Sequence, residues 1–130
     1  MNMIEYGCAD AQDKAYMAAL DERLQKNPND YDALLKKGVL SFEPFRRFEE
    51  GEEIFDLLIE RDPYNVDAYF WFSECILGYT SNYEKSERLL RIALRLAPSR
   101  ADCHLHLAQT LDAMHQIGRA SCRERVYVLV

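Results

Sequence analysis

The residues best suited to chemistry stand together in the run Cys103-His104-Leu105-His106, a thiol and two imidazoles side by side. A zinc site would need such ligands to converge on one tetrahedral point. On a helix, positions two apart point about 200° away from each other, so His104 and His106 cannot share an ion. Cys103 and His106 lie one turn apart, but a thiol nucleophile also needs an acid to orient its base and donors for an oxyanion. The run offers neither. No CxxC or HxxxH spacing occurs, and the five glycines are dispersed rather than gathered into a phosphate-binding loop. The expectation is a protein with no catalytic, cofactor-binding or metal-ligating residues.

Two acidic features and one aromatic feature remain. Glu49–Glu53, interrupted by Gly51, opens an amphipathic stretch, where carboxylates complement the positive end of a helix. Asp32, Asp67 and Asp102 recur at equal intervals. They read either as the same helix-start complement or as a ladder of acids along a groove. In "AYFWF", Tyr69, Phe70, Trp71 and Phe72 follow one another, at about 100° per residue on a helix, so no single face can bury all four. Tyr69 and Phe72 are expected to face a partner helix. Phe70 and Trp71 then either pack on a neighbouring unit or stay open to a ligand.

The elements that must position these residues follow from a repeat. Pro28, Pro63 and Pro98 are spaced 35 residues apart, in "KNPNDYDALL", "RDPYNVDAYF" and "LAPSRADCHL". A second register aligns Phe48 with Tyr83, Gly51 with Ser86, Phe55 with Leu90, and Leu58-Ile59 with Ala93-Leu94. Proline cannot continue a helix but suits its start or the turn before it. Each unit therefore reads as two helices. The first helix of each pair is expected over about 31–43, 66–79 and 101–115. The second, with apolar residues at i, i+3, i+4 and i+7, is expected over about 49–61 and 84–96. A further helix at about 11–26 precedes Pro28, and Pro44 falls in a turn. No strand pattern competes, so the fold class is all-α.

Totals bound the function. A chain of 130 residues, 48% apolar and 29% charged, fits one globular domain. No apolar run nears the roughly 18 residues of a membrane span, and the N-terminus lacks the basic-then-apolar pattern of a secretory signal. Cys8, Cys75, Cys103 and Cys122 form no close pair, which suits reduced thiols and a cytoplasmic protein. Residues 1–116 carry 13 Lys/Arg against 21 Asp/Glu. An acidic body repels phosphate backbones, so neither nucleic acid nor membrane is an expected partner.

The columns resemble the tetratricopeptide repeat (TPR), whose loose pattern alternates large, small and aromatic positions before a closing proline. The second unit carries it best, through Tyr69, Phe72, Ser73, Ile76, Tyr83, Ser86, Leu90, Ala93 and Pro98. The first does so through Leu34, Gly38, Phe48, Gly51, Phe55, Leu58 and Pro63, with Lys37 breaking an apolar column. The third begins it with His104, Leu107, Ala108 and Leu111. The family's period is about 34, one short of this one. RNA-reading pentatricopeptide arrays share the period found here, but the acidic body argues against them.

The resemblance implies a right-handed α-solenoid of antiparallel helix pairs within residues 1–116. It would hold about two full repeats (31–65 and 66–100), a partial one (101–116) and a flanking N-terminal helix. It further implies protein–protein binding through a concave groove lined by the first helix of each pair. Columns for that groove are Asp32, Asp67 and Asp102; Leu35, Phe70 and Leu105; Val39, Glu74 and Gln109; Phe42, Leu77 and Asp112. The clamp with which such repeats hold chaperone tails uses Lys, Asn and Arg. Leu35, Val39 and Asp102 stand there instead, so a basic or amphipathic peptide is the expected ligand. A small assembly or secretion chaperone and a truncated scaffold segment of a larger protein are the alternative readings.

The repeat breaks after Gln116. Carried forward, the aromatic column lands on Gly118, and two buried columns land on Glu124 and Arg125, where an unpartnered charge would be costly. Ser121 and the pair Val128-Leu129 still fit. The peptide Ile117–Val126, "IGRASCRERV", resembles the translation of a short-read sequencing adapter. Residues 117–130 are therefore expected to be a non-native tail, leaving the third unit unfinished and open to self-association.

Overall fold

The structure, a computed structural model, describes residues 9–129, with the side chains of residues 9–116. It contains six helices and, among the described residues, no strand. They are α1 (Ala11–Lys26), α2 (Tyr31–Phe42), α3 (Phe48–Arg61), α4 (Val66–Tyr79), α5 (Tyr83–Leu96) and α6 (Ala101–Leu129). The all-helical expectation holds, and the first five helices lie within a residue of their expected bounds. α6 differs: it continues to Leu129 without a turn near Gln116. The columns carried forward to Ser121, Glu124, Arg125, Val128 and Leu129 fall outside the described side chains, as do Cys8 and Cys122.

Local chemistry explains the starts. Asp10 and Asp13 form a reciprocal capping box at α1. Asp30 and Asn65, one repeat apart, accept the backbone N–H of Ala33 and Ala68 at 3.2 Å each. Asn82 caps α5 in the same way. Each such cap is worth about 1 kcal/mol. Arg100 occupies the third copy of this column and cannot accept. Asp102 takes over there, receiving the N–H of Cys103 at 2.8 Å.

The three prolines keep a common contact by different means. Arg61 donates to the Pro28 carbonyl at 2.8 Å, Tyr69 donates to that of Pro63 at 2.8 Å, and His104 Nε2 lies 2.7 Å from that of Pro98. The two inter-helix turns also differ. α2 is two residues shorter than α4, and residues 43–47, with a cis Glu43-Pro44 bond, take the place that the end of α4 and residues 80–82 fill in the next unit.

Small residues let the helices approach. A Cβ on Gly38 would stand 2.9 Å from the Phe55 ring, and one on Gly51 would stand 2.6 Å from that of Phe42. Ser73 and Ser86 hold the equivalent positions and are joined by a hydrogen bond from Ser86 Oγ to the Ser73 carbonyl at 3.2 Å. Around them Phe42, Phe55, Leu58, Phe72, Ile76, Leu90 and Ala93 form one buried core. Burial of each large side chain stabilises the fold by about 1.5–3 kcal/mol. Each helix packs on the next, and α2 also meets α4, as α4 meets α6. The α3 and α5 backbones stay apart, bridged by Lys85 and Glu52 at 2.8 Å.

Candidate binding surface

The Cys103-His106 run is pulled in three directions. Cys103 is buried, His104 turns to the Pro98 carbonyl, and the His106 ring lies 5.4 Å from that of Phe70. Among the described residues, no three potential metal ligands converge. Burial pushes the Cys103 thiol up, aided by the Asp102 charge, and burial raises that of Cys75 to about 12. Both thiols are therefore protonated at neutral pH, which removes their nucleophilic form.

The aspartate column is not a free acidic ladder. Arg23 holds Asp30 at 3.0 Å and reaches Asp32 at 3.3 Å, and Lys36 closes on Asp32 at 2.9 Å. Arg100 bridges Asp67 at 2.9 Å and Asp102 at 2.7 Å. Hydrogen bonding from Lys36 holds the Asp32 carboxyl below the usual range, and that from Arg100 holds Asp102 at about 2. Asp67 and Asp102 thereby join the starts of α4 and α6, and Asp32 ties the start of α2 to the end of α1. Their charge is already spent on Arg23, Lys36 and Arg100, leaving little for a basic ligand.

The apolar columns form a surface in part. Leu35 and Val39 of α2 line a cleft of about 320 Å³ with Tyr16 of α1 and Trp71 of α4. Lys36 and Leu40 complete its wall. Val39 and Trp71 also line a second cleft of about 230 Å³, whose other walls are Glu43, Glu74, Cys75 and Tyr79. Trp71 therefore stands between two adjoining hollows, each open to solvent. It is partly exposed, whereas Phe70 packs against the next unit. The Phe70 ring meets Trp71 edge-on at 5.4 Å and receives the Arg100 guanidinium at 5.7 Å. Of the two, Phe70 takes the packing alternative, against His106, and Trp71 keeps an exposed face.

Phe42 must be corrected. It was expected in the groove, but it is fully buried and belongs to the core. Its ring sits 5.7 Å from that of Phe48 and 6.2 Å from that of Phe55. The space left by Gly51 turns it into the α2–α3 interface. Leu77 is half-buried and lines neither cleft. Leu105 and Gln109 on α6 are exposed and also outside both, and Asp112 accepts a hydrogen bond from Gln116 at 3.3 Å.

Seven cleft residues went unforeseen as groove lining: Tyr16, Lys36, Leu40, Glu43, Trp71, Cys75 and Tyr79. Glu43 and Tyr79 end or follow a first helix, where column reasoning stops, and Tyr16 belongs to a helix outside the repeat. Trp71 carried a legible signal: with Phe70 it was one of the two residues of the aromatic run that the partner helix could not bury. No protein-family model matches this chain, and no curated protein matches it.

Proposed function

We propose that this chain is a non-enzymatic protein-binding module, built as a tetratricopeptide-like solenoid that holds a peptide against α2 and α4. The observation that carries this reading is the pair of adjoining clefts meeting at Trp71, a partly exposed aromatic on an otherwise well-packed helix. Exposed aromatic anchors beside apolar hollows are the usual centres of binding energy in protein interfaces. The contacts between α2 and α4 and between α4 and α6, with α3 and α5 held apart, support a surface formed by the first helices. Short turns between packed neighbours support antiparallel pairs. Among the described residues no helix is long and apolar enough to cross a membrane.

Replacing Leu35 by Ser together with Trp71 by Ala tests the proposal. On an array of amphipathic peptides, binding seen with the unaltered protein should weaken at least tenfold, while the urea midpoint changes little. Loss of stability as large as that from Leu90→Ala, about 2–5 kcal/mol at a fully buried site, would make these positions core. Unchanged binding would place the interface elsewhere.

A second reading, a scaffold segment of a larger helical array, is favoured by α6. Its Leu105 is 62% exposed and Leu111 is 38% exposed, a face suited to a further helix or a second copy. Recovering the uninterrupted reading frame beyond Gln116 tests it.

A further inference from the structure

The second cleft differs from the first in charge. Glu43 and Glu74 both line it, beside the rings of Trp71 and Tyr79. Neither carboxylate takes part in an ion pair within the described residues. Glu74 Oε2 is buried and has no hydrogen-bond partner. A buried carboxylate oxygen left without a donor is costly, so the site gains from any cation that enters. The aspartates at the helix starts, by contrast, are closely paired, as at Asp32, Asp67 and Asp102. Arg46 stands 6.0 Å from the Tyr79 centroid but is not part of the cleft wall, and Lys36, on the wall of the adjoining cleft, is paired with Asp32. Aromatic faces add to the attraction for a positive group. The adjoining cleft at Leu35 and Val39 is apolar.

We infer that the Glu43–Glu74 cleft is a cation subsite, taking a lysine or arginine side chain of an amphipathic peptide whose apolar neighbour enters the Leu35–Val39 cleft. This deepens the peptide-binding reading and rests on it. The geometry requires a positive and an apolar side chain presented together, because Val39 and Trp71 belong to both hollows.

Trp71 is the only tryptophan, so its emission reports on both clefts at once. The test is a fluorescence titration of the full chain with two amidated helical peptides, one of leucine and lysine and one of leucine and glutamine. The lysine peptide should bind at least tenfold more tightly, and Glu43→Gln with Glu74→Gln should erase that preference without weakening the glutamine peptide. Glu53→Gln with Glu60→Gln, exposed on α3, should leave the preference intact and so exclude general attraction to an acidic surface. A preference kept by the Glu43/Glu74 variant, or lost in the Glu53/Glu60 variant, overturns the subsite while leaving the peptide-binding reading standing. If neither peptide changes the emission of the unaltered protein, both fail. Should the Glu43/Glu74 variant not fold, the unaltered protein decides: raised salt must shrink the lysine preference, and a salt-independent preference overturns the subsite.

Discussion

α4 and α6 carry the same columns one repeat apart, and they are buried differently. In α4, Ala68, Tyr69, Phe72, Ser73, Cys75 and Ile76 are all buried. In α6 only Cys103 and Thr110, the counterparts of Ala68 and Cys75, stay buried among the described side chains. His104, Ala108 and Leu111, opposite Tyr69, Ser73 and Ile76, are exposed. Both helices pack on the helix before them, but only α4 has one described packing after it. The difference separates the two faces of a first helix: the Ala68 and Cys75 columns face the preceding neighbour, and the Tyr69, Ser73 and Ile76 columns face the following one. Burial in this molecule is therefore owned by pairs of helices rather than by residue type.

The sharpest way to break that comparison is to truncate the same column twice. Ile76→Ala should destabilise by about 2–5 kcal/mol, and Leu111→Ala by less than about 0.5 kcal/mol, because exposure is 1% at Ile76 and 38% at Leu111. Similar losses in urea denaturation would mean that α6 is covered after all. The complementary column should behave alike in both helices. Ala68→Leu and Cys103→Leu each overfill a site with no exposed surface and should each cost about 1–3 kcal/mol. Unequal losses would separate the two preceding interfaces.

Acid sharpens the comparison at the helix starts. Arg100 ties α4 to α6 through Asp67 and Asp102 and holds the Asp102 carboxyl at about 2 against an ordinary 3.8. A depressed folded-state value stabilises above the ordinary value, and that contribution is lost as pH falls from about 4 through about 2. Arg100→Gln should flatten this part of the acid-denaturation profile; an unchanged slope would show that the bridge adds nothing. The smallest effect concerns the tail. Deleting residues 117–130 should leave the melting midpoint within error, and a loss above about 1 kcal/mol would overturn the adapter reading.

The helices were legible because three prolines marked their limits and small residues marked their close approaches. Gly38, Gly51, Ser73 and Ser86 each proved buried, as their columns required. The candidate surface was legible only where a column stayed on one face of a helix, as with Leu35, Val39 and Glu74. Phe42 escaped because it ends α2, and Gly51, on another helix, made room for its ring. The aspartates were read without the cations that neutralise them. Arg23 and Arg100 come from the helix or loop before each start, a pairing visible only once the turns are closed. Glu43, just after α2, and Trp71, on α4, line one cleft, and nothing in their separate stretches announces that they do.

The ring of Phe55 carries a consequence for divisibility. It belongs to α3, closes against Gly38 of α2, and stacks on Phe72 of α4 at 4.8 Å with 10° between planes. One aromatic thus serves as the inner wall of its own unit and the outer wall of the next. A cut in the loop at Asp62–Asn65 would respect the 35-residue frame and still strip both rings of their partner. The repeat seen in the letters is therefore not the unit that can stand alone. The smallest autonomous piece must straddle that loop, keeping α3 and α4 on the same fragment.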